Sequence, residues 1–223
     1  MYTTVLHLVK RIMQFRQSLK ISILAVVLAA FHVRAESSAS CFAQFDYLLE
    51  KTMLKVDVLR LLLSVDERTA GRVATVVKGK ERNRELEQSV VAQYLQAATA
   101  SVKMSFQMGI SYDRFVGSAE KTSKNLAKQG FLDKAAADMV TRDMAARFAF
   151  LQDRGIQEGD HLYYALRADS VRSRFVTVEG DTLLNDLRVG PERRIMLLGS
   201  YFAPKTNFHD GLLDQVFQGC EEQ

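Results

Sequence analysis

Alternation of apolar and polar residues is cleanest from Thr99 to Met108. Ala100, Val102, Met104, Phe106 and Met108 alternate without error with Thr99, Ser101, Lys103, Ser105 and Gln107. A period of two predicts a strand with one face buried and the other wet or lining a polar cavity. Residues 41–50 repeat the pattern, with Cys41, Ala43, Phe45, Tyr47 and Leu49 on one side. A second strand runs through Leu54, Val56 and Val58 and then Leu59, Leu61, Leu63 and Val65. Its apolar face changes parity near Leu59, which predicts a bulge or a passage into a more buried setting. Near the other end, His161 to Ala168 places Leu162, Tyr164 and Leu166 on one face. Val171 to Val178 pairs back across a turn at Asp169-Ser170, Glu179-Gly180-Asp181 forms another turn, and a helix follows.

Elsewhere the apolar period is helical. Val73, Val76 and Val77 start one stripe, and Leu86, Val90, Val91, Tyr94 and Leu95 resume it after the charged, solvated link from Lys78 to Glu85. Ser111 is a good N-cap for a helix with the stripe Tyr112, Phe115, Val116, Ala119 and Leu126, and Gly130 suits its C′ position. A second helix carries Ala136, Val140, Met144, Phe148 and Leu151 and stops at Gly155. The two read as an αα-hairpin laid over a sheet. Pro191 opens a later helix through Ile195, Leu198 and Phe202, and a short last one is centred on Leu212, Leu213 and Val216.

Charge changes this picture at one place. Lys10, Arg11, Arg16, Lys20 and Arg34 fall in residues 1–35, which hold no acid; taking those five from the 30 basic residues leaves 25 against 26 acidic ones. The apparent basicity belongs to that segment, and no basic stripe is evident in the rest, which argues against nucleic acid as a partner. An apolar run from Ile21 to Phe31 follows the basic residues, too short for an unaided membrane span, and Val33-Arg34-Ala35 fits a signal-peptidase site. We therefore expect a signal peptide over 1–35, cleavage after Ala35, one domain over 36–223, and a periplasmic or secreted location. An uncleaved anchor is the alternative. Export would give Cys41 and Cys220 an oxidising compartment and a chance to bridge the two ends of the domain; two unpaired thiols at frayed ends are the other reading.

Most catalytic signatures are missing. His161 and His209 lack metal-ligand spacing, two cysteines make no thiolate cluster, and no Gly-x-Ser-x-Gly elbow occurs. Neither a metal nor a cofactor is expected. Tyr163 and Tyr164 can put one phenol into a cleft and one into the core, against the plainer reading of ordinary sheet residues. Met104 and Met108, with Met139 and Met144 above them, suit an adaptable lipid pocket or plain core filling. Arg193-Arg194 is placed to clamp a carboxylate or phosphate, or to sit solvated in a first helical turn, where positive charge opposes the helix dipole.

Four stretches carry a family resemblance: Lys55-Val56-Asp57-Val58-Leu59-Arg60-Leu61; Ser101 to Ser111 with the helix after it; Gly159-Asp160-His161-Leu162-Tyr163-Tyr164; and Phe202 through Gly211-Leu212-Leu213. Together they resemble the chalcone isomerase-like family in its bacterial exported branch. The resemblance implies an α+β fold: an open-faced antiparallel β-sandwich with helices packed on one face of the sheet and an apolar cleft between. It also implies that a catalytic Arg would stand at Leu49, with Lys51 two residues on as the catalytic candidate. A Lys cannot reproduce the planar fork of an Arg. The leading expectation is a non-enzymatic binder of a small apolar ligand such as a fatty acid, with Met104, Tyr112, Tyr164, Arg193 and Arg194 as ligand-binding candidates. The alternatives are a chalcone-type intramolecular lyase or isomerase, and a cell-envelope interaction protein.

Overall fold

The computed structural model describes residues 41–51 and 56–218, without the side chains of Lys51, Val56 and Asp57. The described residues fall in one compact unit. Six strands form one antiparallel sheet in chain order: β1 (Gln44–Lys51), β2 (Val56–Val65), β3 (Thr99–Phe106), β4 (His161–Arg167), β5 (Ser170–Val176) and β6 (Thr182–Val189). Helices α1 (Glu67–Val77) and α2 (Arg84–Leu95) are inserted before β3, and α3 (Tyr112–Lys128) and α4 (Lys134–Arg147) before β4. Helices α5 (Pro191–Phe202) and α6 (His209–Gln218) close the chain. All pack on one face of the sheet, so the chain is an open-faced α+β protein, as the resemblance implies.

Each helix start has a local cause. The side chains of Asp66, Asn83, Ser111 and Asp133 accept from backbone amides three residues on, and Pro191 occupies the first turn of α5. Gly130 and Gly155 end α3 and the α4 segment at φ of 78° and 65°, the left-handed region that glycine enters without strain.

The parity change in the second strand is a bulge. Leu49 pairs with Leu59 and Glu50 with Asp57, leaving Val58 as the extra residue of β2. Val58 and Leu59 consequently both reach the helix side of the sheet.

β6 corrects the sequence reading, which passed from the Gly180 turn directly to a helix. In Thr182–Val189 the inward positions include Asp186 and Arg188, while Leu187 and Val189 face out, 50% and 71% exposed. An edge strand with Leu184, Asp186 and Arg188 inward and Asn185, Leu187 and Val189 outward mixes polar and apolar residues on both faces and does not read as half-buried. Strand β3 also ends two residues short of Met108.

The main core lies between the sheet and α1, α2, α5 and α6. Tyr94 stacks on Phe202 at 4.0 Å between ring centres, and its hydroxyl donates to the Phe42 carbonyl. Leu126, Leu132, Val140, Met196 and Ala203 form a second, smaller core between α3, α4 and α5. Gly199 lets α5 approach α3, since a Cβ there would stand 2.6 Å from Leu126.

Candidate functional site

Two cores with different centres leave a gap. In α3 only Ser123 and Leu126 are buried, and Phe115 and Ala119 from its apolar stripe overlook a cavity of about 1240 Å³ instead. Leu49, Val58, Leu59, Met104, Phe106 and Tyr164 form the sheet wall; Met144, Met196, Leu197 and Tyr201 extend the helix wall. Half of the lining residues are aliphatic, aromatic or thioether and the rest mostly polar or charged, the mixed composition of a site for an amphipathic small molecule.

Its charges are one-sided. Of the described charged residues lining the cavity, Arg114, Lys121, Lys124, Lys128, Arg147, Arg188, Arg193 and Lys205 are basic, and only Glu50 and Glu120 are acidic. Arg147 is the most enclosed of the four arginines, with its side chain 8% exposed. Its Nη2 donates to Asp186 Oδ1 at 2.7 Å and to Ser173 Oγ at 2.5 Å. Arg193 Nη1 donates to Asp143 Oδ2 at 2.7 Å, and Arg188 Nε donates to Asp186 Oδ2 at 3.1 Å. Asp143 and Asp186 are absent from the lining: they hold the guanidiniums from behind and leave cationic surface towards the cavity. Among the described residues Nε of Arg147 and of Arg193 have no hydrogen-bond partner, although Glu192 Oε1 is 3.5 Å from the latter. Buried guanidinium nitrogens without acceptors are costly, and an anion would satisfy them.

Two phenols stand near this end. Burial pushes Tyr164 up to about 12; Arg147 pulls the other way and Asp186 adds to the rise. Tyr201 is pushed well above the ordinary tyrosine range by burial and by its neighbour Tyr164, and its hydroxyl donates to Met104 Sδ at 3.3 Å. Both remain neutral donors across the physiological range.

The structure brings Met104, Tyr164 and Arg193 together at the cavity and separates the other candidates from it. Tyr112 does not line it: the hydroxyl donates to the Ala145 carbonyl at 3.0 Å and pins α3 to α4. Arg194 turns away to Asp169, 3.3 Å distant. Tyr163 lies on the opposite face of the sheet, under Lys103, and not in the core. Met144 lines the cavity, whereas Met139 is exposed and Met196 supplies a thioether that the sequence reading did not assign. Leu49 forms plain aliphatic wall where the resemblance places an Arg. Lys51 ends β1, and its side chain lies outside the described residues, as do Ala35 and Cys220. Cys41 is half-buried against the main core.

Arg147, Asp143, Asp186 and Arg188 were missed. For Arg147 a signal existed: Val140, Met144, Arg147 and Leu151 share one helical stripe, and a cation on an apolar stripe is a site candidate. Asp186 and Arg188 belong to the strand that was not foreseen.

No protein-family profile matches the chain, and no curated protein sequence does. Among solved structures, a fatty-acid binding protein of Arabidopsis thaliana is similar at 13% identity and a TM-score of 0.49, over 77% of this chain and 90% of that one. A likeness at that level carries no weight for ligand or activity here.

Proposed function

We propose that this protein is a non-enzymatic binder of a small amphipathic anion, with a long-chain fatty acid as the type ligand. The observation that carries the reading is the cavity itself, apolar along its walls and lined by eight cationic residues against two acidic ones. A carboxylate would take up Arg147 and Arg193 as charge-assisted partners, with Tyr164 as a neutral donor, while the alkyl chain covers Met104, Phe106 and Phe115. Leu49 in the place of an electrophilic Arg supports binding over enolate chemistry. Among the described residues no helix is long and apolar enough to cross a membrane. Export, with cleavage after Ala35, is part of the proposal and rests on the residues of the leader.

The test is native mass spectrometry of protein purified from its own cell envelope, followed by organic extraction. The expected result is a chain beginning at Glu36, two hydrogens light from a Cys41–Cys220 bridge, carrying fatty acid. The stripped protein should then bind palmitate at least about tenfold more tightly than hexadecanol, the worth of one charge-assisted contact. Protein that arrives empty and ignores palmitate would overturn the binding reading. A mass that retains residues 1–35 would overturn only the cleavage.

A further inference from the structure

Among the described residues no element covers the face of the sheet away from the helices, and its chemistry is as one-sided as that of the cavity. The outward positions of β3 to β6 contain no Asp or Glu. One cross-strand row reads Lys103, Tyr163, Arg174 and Asn185; the next reads Ser101, Ala165, Arg172 and Leu187; Arg167 stands in the row beyond. None of these four cations has an acidic partner among the described residues. Arg172 reaches only Asn185 Oδ1 at 3.3 Å, Arg174 only Thr182 Oγ1 at 3.5 Å, and Lys103 lies 5.9 Å from the Tyr163 ring centre. The acid Asp46 on β1 is already taken by Arg60. A shallow groove of about 920 Å³ crosses this face, floored by Ser64, Ser101 and Ala165, with the two serine hydroxyls 2.7 Å apart.

We propose that this face docks on the surface of a bilayer containing anionic phospholipid. Four unneutralised cations on one face of a chain with 25 basic and 26 acidic residues outside its leader form an oriented positive surface. Exposed aliphatic side chains flank it, Leu62 on β2 at 40% and Leu187 on β6 at 50% exposed. Cations beside protruding aliphatics, with a tyrosine between them, match the polar and apolar layers of a lipid interface. A nucleic acid or an acidic protein would use the cations but leave the leucines without a partner. Docking in this orientation also brings the β6 edge to the membrane, and Arg188 on that strand lines the cavity from the other side. The proposal stands independently of what the cavity holds.

The experiment uses the chain from Glu36 onward, which carries the compact unit, and sedimentation with vesicles. Vesicles of equal parts phosphatidylcholine and phosphatidylglycerol should bind the protein, with affinity falling as salt rises, and pure phosphatidylcholine vesicles should not. Arg172→Ser combined with Arg174→Ser should lower the partition coefficient about 30-fold, each cation contributing about fivefold near an anionic surface. Leu187→Ser should weaken it with the salt dependence unchanged. Both variants sit on an exposed face and should keep the parental thermal midpoint and palmitate affinity, which separates this proposal from the reading of the cavity. Partition unaffected by the double variant, or equal partition onto neutral vesicles, would overturn it. So would an oligonucleotide or a polyglutamate peptide that binds through Arg172 and Arg174 while the anionic vesicles do not.

Discussion

Arg147 on α4 and Asp186 on β6 meet at 2.7 Å, so the polar end of the cavity is closed by an ion pair between two elements far apart in sequence. With Ser173 accepting from the same nitrogen, the guanidinium is fixed before any ligand arrives. Preorganisation of this kind reduces the ordering cost of binding.

Arg147→Gln should lower palmitate affinity by at least about 30-fold, because a buried cation partner is lost. It should also destabilise the fold by about 3 kcal/mol, since Asp186 loses its hydrogen-bonded partner and Asp143 loses an ion pair with Arg147 Nη1 at 3.7 Å. Tyr164→Phe isolates the ligand effect: it conserves volume, and affinity should fall about tenfold with a nearly unchanged thermal midpoint, one hydrogen bond to a charged group being lost. Calorimetric titration against the thermal midpoint separates the two outcomes.

Alkaline unfolding should begin near the ordinary tyrosine pKa. Tyr164 is raised to about 12, and Tyr94 and Tyr201 are raised as well, all chiefly by burial. A folded pKa above the unfolded one gives stability that is fully present below about pH 10 and declines as pH rises towards the folded value. Denaturant midpoints should therefore hold steady up to about pH 10 and fall above it. In Tyr164→Phe the fall should be shallower; an identical slope would mean that Tyr164 ionises as freely folded as unfolded.

Asp160 is wholly buried and accepts from both terminal nitrogens of Arg154, at 2.9 and 3.2 Å, and from the amides of Gln157 and Val178. It therefore ties the turn before β4 to the end of β5. Asp160→Ala should cost about 3–5 kcal/mol, leaving a part-buried guanidinium and two amides without their acceptor. Thermal unfolding reads this, and a loss below about 1 kcal/mol would show that water replaces the carboxylate.

Gly211 sits where α6 crosses β1: a Cβ there would stand 2.0 Å from the Tyr47 ring. Because Tyr47 lines the cavity, Gly211→Ala should push the ring into that space. The expected outcome is a smaller capacity for long alkyl chains at a stability cost of about 1–3 kcal/mol. Affinity should decline more for palmitate than for laurate, and an equal decline for both would place the displaced ring elsewhere.

Periodicity in the sequence was sufficient for β2 to β5, for the body of β1 and for α1 to α6, but residues 41–43, read as the start of the first strand, are helical, and only the register decided that the parity change near Leu59 is a bulge at Val58. Each is specified by contacts or caps within a few residues, and each buries one face. Periodicity failed at β6, because an edge strand with Asp186 and Arg188 inward and Leu187 and Val189 outward has no apolar face turned to the core to announce it. The candidate site was legible only in part. Met104, Tyr164 and Arg193 reach the cavity; Tyr112 and Arg194 have the right chemistry but point to Ala145 and Asp169. Only the tertiary structure decided that α3 spans a void and does not seal a core, because that depends on where α4 and α5 hold it. Only sheet register collected Lys103, Arg167, Arg172 and Arg174 on one face, where a reading along the chain found no basic stripe. Local patterns determine which residues are buried, but a cavity or a charged face is defined by residues distant in sequence, and the packing of whole elements brings those together.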